Sequence, residues 1–218
     1  GRNVKDAGLF IDGVRIVLAG REIVSLTRHV APGAVLTVMG PSGAGKSTLL
    51  AFIGGFLDPV FSASGRFFID GQDISALPAE ERHMGILFQD PLLFPHMSVG
   101  GNLLFALPAA IRGRTARKRQ VEEALQGVDL EGMEARDPAT LSGGQKARVA
   151  LARVLAAHPR ALLLDEPFSK LDAALRQQMR ELVFAKARER GLPVLLVTHD
   201  EADAAAAGGD IVTIGGTE

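Results

Sequence analysis

The spacing of apolar positions changes along the chain, and each change predicts a different kind of element. Early on, apolar residues alternate or fall in short runs at Leu9–Ile11, Val14–Leu18, Ile23–Val30 and Val35–Met39, with turn signals at Asp12–Gly13 and Pro32–Gly33. Such runs, bounded by Gly, Pro and Asp, predict β-strands. A glycine-rich stretch then leads into an apolar helix over about Lys46–Phe56, and Phe67–Ile69 and Gly85–Phe88 predict two further short strands. From about Pro91 to Ala157 the strand signal disappears and helical spacing takes over near Val99–Leu107, Ala116–Gly127 and Gly143–Ala156. The last third alternates again: strand Ala161–Leu164, helix Ala173–Arg190, strand Val194–Val197, helix Asp200–Ala207, strand Ile211–Ile214.

Apolar strands alternating with helices predict a mainly parallel sheet covered on both faces, the α/β class. The helical middle reads as a lobe inserted into that core. On this reading residues 1–218 form one domain, with 1–90 and 158–218 as core and 91–157 as the helical insertion. No internal repeat, low-complexity tract or flexible linker interrupts it.

Composition narrows the function classes. Hydrophobic residues make up 47% and charged residues 22%, ordinary values for a globular protein. A formal net charge of −1 argues against a chain built to coat nucleic acid. Cys is absent, which excludes disulfides and thiolate metal sites and fits a reducing cytoplasm. Gly1–Asp6 has no apolar stretch of the secretory-signal kind, and no run approaches the roughly 20 residues needed to cross a bilayer. Any work at a membrane therefore needs other subunits to do the crossing. Tyr and Trp are also absent, leaving Phe as the one aromatic type.

The first candidate chemistry lies at Gly40-Pro41-Ser42-Gly43-Ala44-Gly45-Lys46-Ser47-Thr48, which matches G-x-x-x-x-G-K-[ST] between a predicted strand and a predicted helix. Glycines let the backbone curl so that successive N–H groups face phosphate oxygens, and the helix N-terminus adds partial positive charge. Lys46 would reach the β- and γ-phosphates, and the Ser47 hydroxyl would ligate Mg²⁺. The plainer alternative is a glycine-rich turn at the start of a core helix.

The second candidate is the strand Ala161–Leu164 ending in Asp165 and Glu166. In a phosphate-loop protein the first acid at such a strand end holds Mg²⁺, and the second is placed to polarise the attacking water as general base. A pair of solvent-facing or helix-capping acids is the alternative. The third is Leu141-Ser142-Gly143-Gly144-Gln145, where Ser142 reads as an N-cap and Gly143–Gly144 present amides at a helix start. One chain thus carries two potential anion cradles.

At this stretch the chain resembles the ABC ATPase family, whose signature motif is LSGGQ. The resemblance runs from about Leu9 to Ile214 with all motifs in order. It implies a P-loop NTPase core of mainly parallel sheet, an N-terminal antiparallel β subdomain and an inserted helical subdomain. It implies ATP with Mg²⁺ as cofactors and a head-to-tail dimer, in which Ser142, Gly143, Gly144 and Gln145 of one copy close over the γ-phosphate held by the phosphate loop of the other. Two-fold pairing would then give two sandwiched ATPs.

Gln89 matches the family's Q-loop glutamine, a ligand of Mg²⁺ and water. His199 matches the switch histidine that contacts γ-phosphate. Ser169-Lys170-Leu171-Asp172 matches the D-loop at the dimer interface, although Lys170 stands where a small or amide side chain is expected. The implied catalytic set is Glu166, His199, Lys46 and Gln89, with Ser47, Gln89 and Asp165 around the metal.

One departure concerns adenine. Family members usually stack an aromatic residue on the base from the first hairpin, whereas here the matching stretch Ile16–Gly20 offers only aliphatic Val17 and Leu18. The expectation is weaker or less base-selective binding, with GTP tolerated.

The resemblance also implies partners. Phe94–Val99, soon after Gln89, is similar to the segment that receives a cytoplasmic helix of a membrane permease; a plain loop-to-helix entry capped by Ser98 is the alternative. An extracytoplasmic solute-binding protein would act through that permease. Arg112–Arg119 carries five positive charges in eight residues. It could face anionic lipid, but Glu122 and Glu123 follow directly, so a solvated helix start is the preferred reading.

The chain given stops 19 residues after His199, without room for the regulatory domain of sugar-importer ATPases. In form it resembles compact single-domain bacterial importer ATPases, notably the thiamine type. The expected function is a motor subunit on the inner face of the plasma membrane, import favoured. A compact exporter ATPase or a non-transport ABC ATPase is the alternative.

Overall fold

A computed structural model describes residues 6–41 and 45–215. These residues separate into two compact units, the first drawn from 6–86, 160–166 and 184–215 and the second from 87–159 and 167–183.

The first unit is built on two sheets. β1 (Leu9–Leu18) pairs antiparallel with β2 (Arg21–Val30) and with β4 (Ser62–Ile69), and β5 (Gln72–Asp73) extends the sheet, giving the order β2-β1-β4-β5. The predicted turn at Asp12–Gly13 is instead a bulge inside one continuous strand: the register slips between Ile11 and Val14. An extra residue kinks a strand without ending its pairing. β4 begins five residues before the predicted Phe67, because Ser62–Arg66 contains little apolar material and is held as strand by β1.

The second sheet has the order β6-β7-β8-β3-β9. Its members are β3 (Val35–Met39), β6 (Met84–Leu87), β7 (Ala161–Asp165), β8 (Val194–Thr198) and β9 (Ile211–Thr213), with β3 parallel to β8 and β9, and β7 parallel to β8. β3, β7 and β8 are buried almost throughout, which is why they read as continuous apolar runs and do not alternate. α1 (Lys46–Gly54) packs its Leu49, Leu50 and Ile53 into a core shared with Leu9, Ile11 and Phe67 of the antiparallel sheet and Leu163, Leu195 and Val197 of the parallel one.

A short helix missed in the sequence, α2 (Ala79–Arg82), delivers Arg82 into this core. Arg82 is 7% exposed, and its guanidinium donates to the carbonyls of Phe52, Ile53, Ser75 and Leu77, lying over the Phe67 ring at 5.0 Å. Phe52 and Ile53 belong to the last turn of α1, where carbonyls run short of helical partners; the Gly55 N–H also reaches Phe52 O, at 3.3 Å. A buried cation thus fixes the far end of the helix that carries Lys46.

The second unit is helical: α3 (Val99–Ala106), α4 (Arg114–Gln126), a 3₁₀ turn at Pro138–Thr140, α5 (Gly143–Ala156) and the first part of α6 (Ala173–Glu189). α7 (Glu201–Ala207) returns to the first unit. Asn102, fully buried, bonds the Phe94 N–H at 2.8 Å and the Phe94 and Ser98 carbonyls, fixing the entry to α3. Ser98 caps that helix by accepting from Gly101 N–H at 3.0 Å. Within the basic run, Arg117 turns inward and donates to the carbonyls of Leu104, Pro108 and Ile111, so one of its charges is a loop tie and not a solvated group.

Candidate nucleotide site

Two strand ends and one helix start build the centre of the first unit. β3 runs to Met39, and Gly40 and Pro41 lead towards α1; Ser42, Gly43 and Ala44 lie outside the described residues. Gly45, at the N-cap of α1, has φ 96°, and an added Cβ would meet Val24 at 3.0 Å. Only glycine fits that conformation at little cost. No side chain caps α1 and no acid occupies its first turn. A helix N-terminus of this kind can receive an external anion.

Lys46 is the first residue of α1, and its side chain is only 5% exposed. A charge so buried needs a partner. Glu166 supplies it, with Oε1 3.1 Å from Lys46 Nζ. The same oxygen lies 2.8 Å from His199 Nδ1. Glu166 therefore sits between a fixed cation and an imidazole that is largely exposed. Its backbone is held at φ 46°, unusual for a non-glycine residue, while its N–H donates to Val197 of β8 at 2.9 Å. Strain of this kind, about 1–3 kcal/mol, persists where the surroundings over-determine the backbone, and it gathers at functional sites.

Beside this group Ser47 Oγ donates to Asp165 Oδ1 at 3.3 Å. Burial raises the Asp165 pKa; the Ser47 hydrogen bond lowers it, the neighbouring Glu166 charge raises it and Lys46 lowers it. A hydroxyl and a carboxylate in contact are hard oxygen donors of the kind Mg²⁺ takes. No group of three His, Asp or Glu among the described residues could hold a metal by itself.

Two residues here escaped the sequence reading. Thr198, at the end of β8, is fully buried; its Oγ1 donates to Asp203 Oδ2 at 3.0 Å and accepts from Asp200 N–H at 3.0 Å, with Glu166 Oε2 3.4 Å away. Asp203 is 2% exposed. In sequence an acid in the first turn of a helix reads as a surface complement to the dipole, which hid the buried one. Val17 and Leu18, the expected base contacts, are partly buried at the end of β1, where Val17 pairs with Glu22 and Ser62.

The remaining predicted residues lie in the second unit. Ser142 caps α5: its Oγ accepts from Gln145 N–H at 3.2 Å, and Gln145 Oε1 accepts from Ser142 N–H at 2.9 Å, a reciprocal capping box. The box uses the third amide of the helix and leaves those of Gly143 and Gly144. A Cβ on Gly143 would meet nothing within 4 Å. A Cβ on Gly144, by contrast, would meet Leu175 Cδ1 of α6 at 2.9 Å, so packing favours glycine at that position. Ser169 Oγ donates to Gln89 Oε1 at 3.0 Å, and Asp172 Oδ1 accepts from Leu175 N–H at 2.9 Å at the start of α6.

Known proteins carry the same pattern. The family model described as ABC transporter matches residues 23–169. An uncharacterised ABC transporter ATP-binding protein of Escherichia coli, YnjD, is 52% identical over 183 residues, covering 84% of this chain and 84% of that protein. The thiamine import ATP-binding protein ThiQ of a Jannaschia species is 43% identical, over 90% of this chain and 84% of its own length. An Fe(3+) ions import ATP-binding protein, FbpC 1 of Haemophilus influenzae, is 41% identical over 89% of this chain, which spans only 59% of that protein. Among solved structures, cbiO1 of Clostridium perfringens, part of the ABC transporter complex cbiONQ, superposes with a TM-score of 0.83 at 28% identity, over 96% of this chain and 85% of that one. With the phosphate-loop lysine, the strand-end acids and the LSGGQ helix in place, the chain belongs to the ABC transporter family of ATP-binding proteins, which are ATPases.

Proposed function

We propose that this chain is the motor subunit of a bacterial ABC importer: it binds Mg-ATP, pairs with a second copy around two nucleotides, and hydrolyses them to drive a membrane permease. The observation that carries this is the contact of Glu166 Oε1 with both Lys46 Nζ and His199 Nδ1 at the mouth of an uncapped helix. Lys46 and the α1 amides hold the phosphates. Ser47 and Asp165 hold the ion, which when bound neutralises phosphate charge, and Gln89 is a further ligand of the ion or its water. Glu166 orients and deprotonates the attacking water, and His199 holds Glu166 and the γ-phosphate in register. Val17 and Leu18 press on the base without ring stacking, so GTP is tolerated.

The start of α5 supplies the reason to expect a dimer: its capping box engages the Gln145 amide and leaves those of Gly143 and Gly144 for an anion held by a second copy. The permease contacts the region Gln89–Val99, where Leu92 is 63% and Phe94 36% exposed. No helix among the described residues is long and apolar enough to cross a membrane, so the chain would sit on the inner face of the plasma membrane through that permease. Import is favoured by the names of the iron and thiamine relatives, with a solute-binding protein acting through the permease.

The deciding experiment is Glu166→Gln. ATP binding should persist, turnover should fall by about 10²- to 10⁴-fold, and an ATP-bound dimer should accumulate on gel filtration. Undiminished hydrolysis, or a monomer under saturating Mg-ATP, would count against the proposal.

A further inference from the structure

We propose that Lys170 is a positioning residue that holds Gln89 in place from the neighbouring loop; this rests on the reading of Gln89 as a ligand of the ion or its water. Lys170 is the residue that departs from the family pattern, and the structure gives it a partner. Its Nζ donates to both carboxylate oxygens of Asp90, at 2.7 and 2.9 Å. One residue earlier, Ser169 Oγ donates to Gln89 Oε1 at 3.0 Å. Two consecutive residues of one loop thus clasp two consecutive residues of another, 80 positions away in sequence.

Packing does not hold these loops by itself. Phe88, Gln89 and Asp90 are all exposed, and a cavity of roughly 230 Å³ lies against them, lined in part by Pro91, Phe168, Leu171 and Met179. The buried apolar residues at the flanks are Leu87 and Phe168. Polar contacts then decide where Gln89 points. An amide oxygen has two lone pairs; Ser169 occupies one and leaves the other for the ion or its water. A small residue at position 170 would leave that orientation to Ser169 alone.

Both members of the Lys170–Asp90 pair are about half exposed, so it contributes little to overall stability and its effect falls on placement. The test uses the full chain as Lys170→Met, Asp90→Asn, the double variant, and the exchanged pair Asp90→Lys with Lys170→Asp. Each single variant should lower kcat about 2- to 5-fold with KM for ATP unchanged. The double should be no worse than either single, and the exchanged pair should recover most of the loss.

Amide hydrogen exchange across Phe88–Asp90 should quicken in Lys170→Met while the thermal midpoint stays put. Single-variant losses that multiply in the double, unchanged exchange at Phe88–Asp90, or a thermal midpoint lowered by several degrees would overturn the proposal. Gln89→Ala separates the two readings. If it leaves kcat intact, Gln89 has no catalytic part, and the clasp stands or falls on exchange alone.

Discussion

The two helix starts proposed to receive phosphate in this chain are built on opposite principles. α1 begins at a left-handed glycine with no side-chain cap, next to a buried lysine, a carboxylate with a raised pKa and a glutamate at φ 46°. α5 begins with a capping box in which Ser142 and Gln145 satisfy each other's backbone. The first start is locally unsatisfied and strained; the second is relaxed apart from its two glycines. A start that must grip phosphates and do chemistry leaves its own electrostatics unbalanced. A start that only presents two amides can be stabilised like any surface helix. The proposed roles follow that division, and substitutions at the two starts should separate binding from stability.

The largest effect should come from Lys46→Ala. It removes a charge-assisted contact to phosphate of about 2–3 kcal/mol, so ATP affinity should fall roughly 30- to 150-fold in a binding titration. It also leaves Glu166 without its buried cation, so turnover should fall further than affinity. An unchanged affinity would remove the phosphate loop from the nucleotide site and break the comparison at its first term.

How much of this contrast was legible in the sequence depends on how local each cause is. Lys46, Asp165, Glu166 and Ser142 were readable because each sits at a fixed offset from a strand end or helix start. The parallel sheet was readable because β3, β7 and β8 are apolar without interruption. The residues that escaped depend on distant partners. Ser62–Arg66 is strand only because β1 pairs with it, and a Cβ on Gly65 would come within 2.4 Å of the Gly13 carbonyl oxygen. Arg82 looked like a surface charge on a short polar stretch, yet its acceptors Phe52 and Ile53 lie 30 and 29 residues earlier. Lys170 looked anomalous because Asp90 could not be placed beside it. Asp203 looked like a dipole complement because the Thr198 hydroxyl it binds is visible only in three dimensions.

Ser142→Ala tests the relaxed start and should have a smaller, differently distributed effect. Loss of the cap costs about 1 kcal/mol, which lowers the melting temperature by roughly 2–4 °C in a chain of this size. ATP affinity of the isolated monomer should be untouched, since in the proposed dimer α5 serves the nucleotide bound by the other copy. A fall in monomer affinity like that of Lys46→Ala would show that both starts serve one site within one chain.

The smallest effect on stability, and the one with a distinctive sign, is at Asp165. Its folded-state pKa is raised, chiefly by burial, above the ordinary aspartate value. The folded state therefore binds the Asp165 proton more tightly than the unfolded state does. Between the unfolded and folded pKa values the contribution of this group to stability declines as pH rises, and above the folded pKa the full penalty of an ionised, half-buried carboxylate is present. Asp165→Asn, measured without nucleotide in a metal-chelating buffer, should raise the melting temperature at neutral pH. That gain should shrink as pH falls towards the unfolded value, where wild-type Asp165 is also neutral. Hydrolysis should be lost in the same variant, since the ion's carboxylate ligand is gone. A variant that is both more stable and inactive is what a strained start predicts. A melting temperature lowered at neutral pH would mean that the Ser47 and Lys46 interactions outweigh burial, and that the α1 start is as satisfied as the one at Ser142.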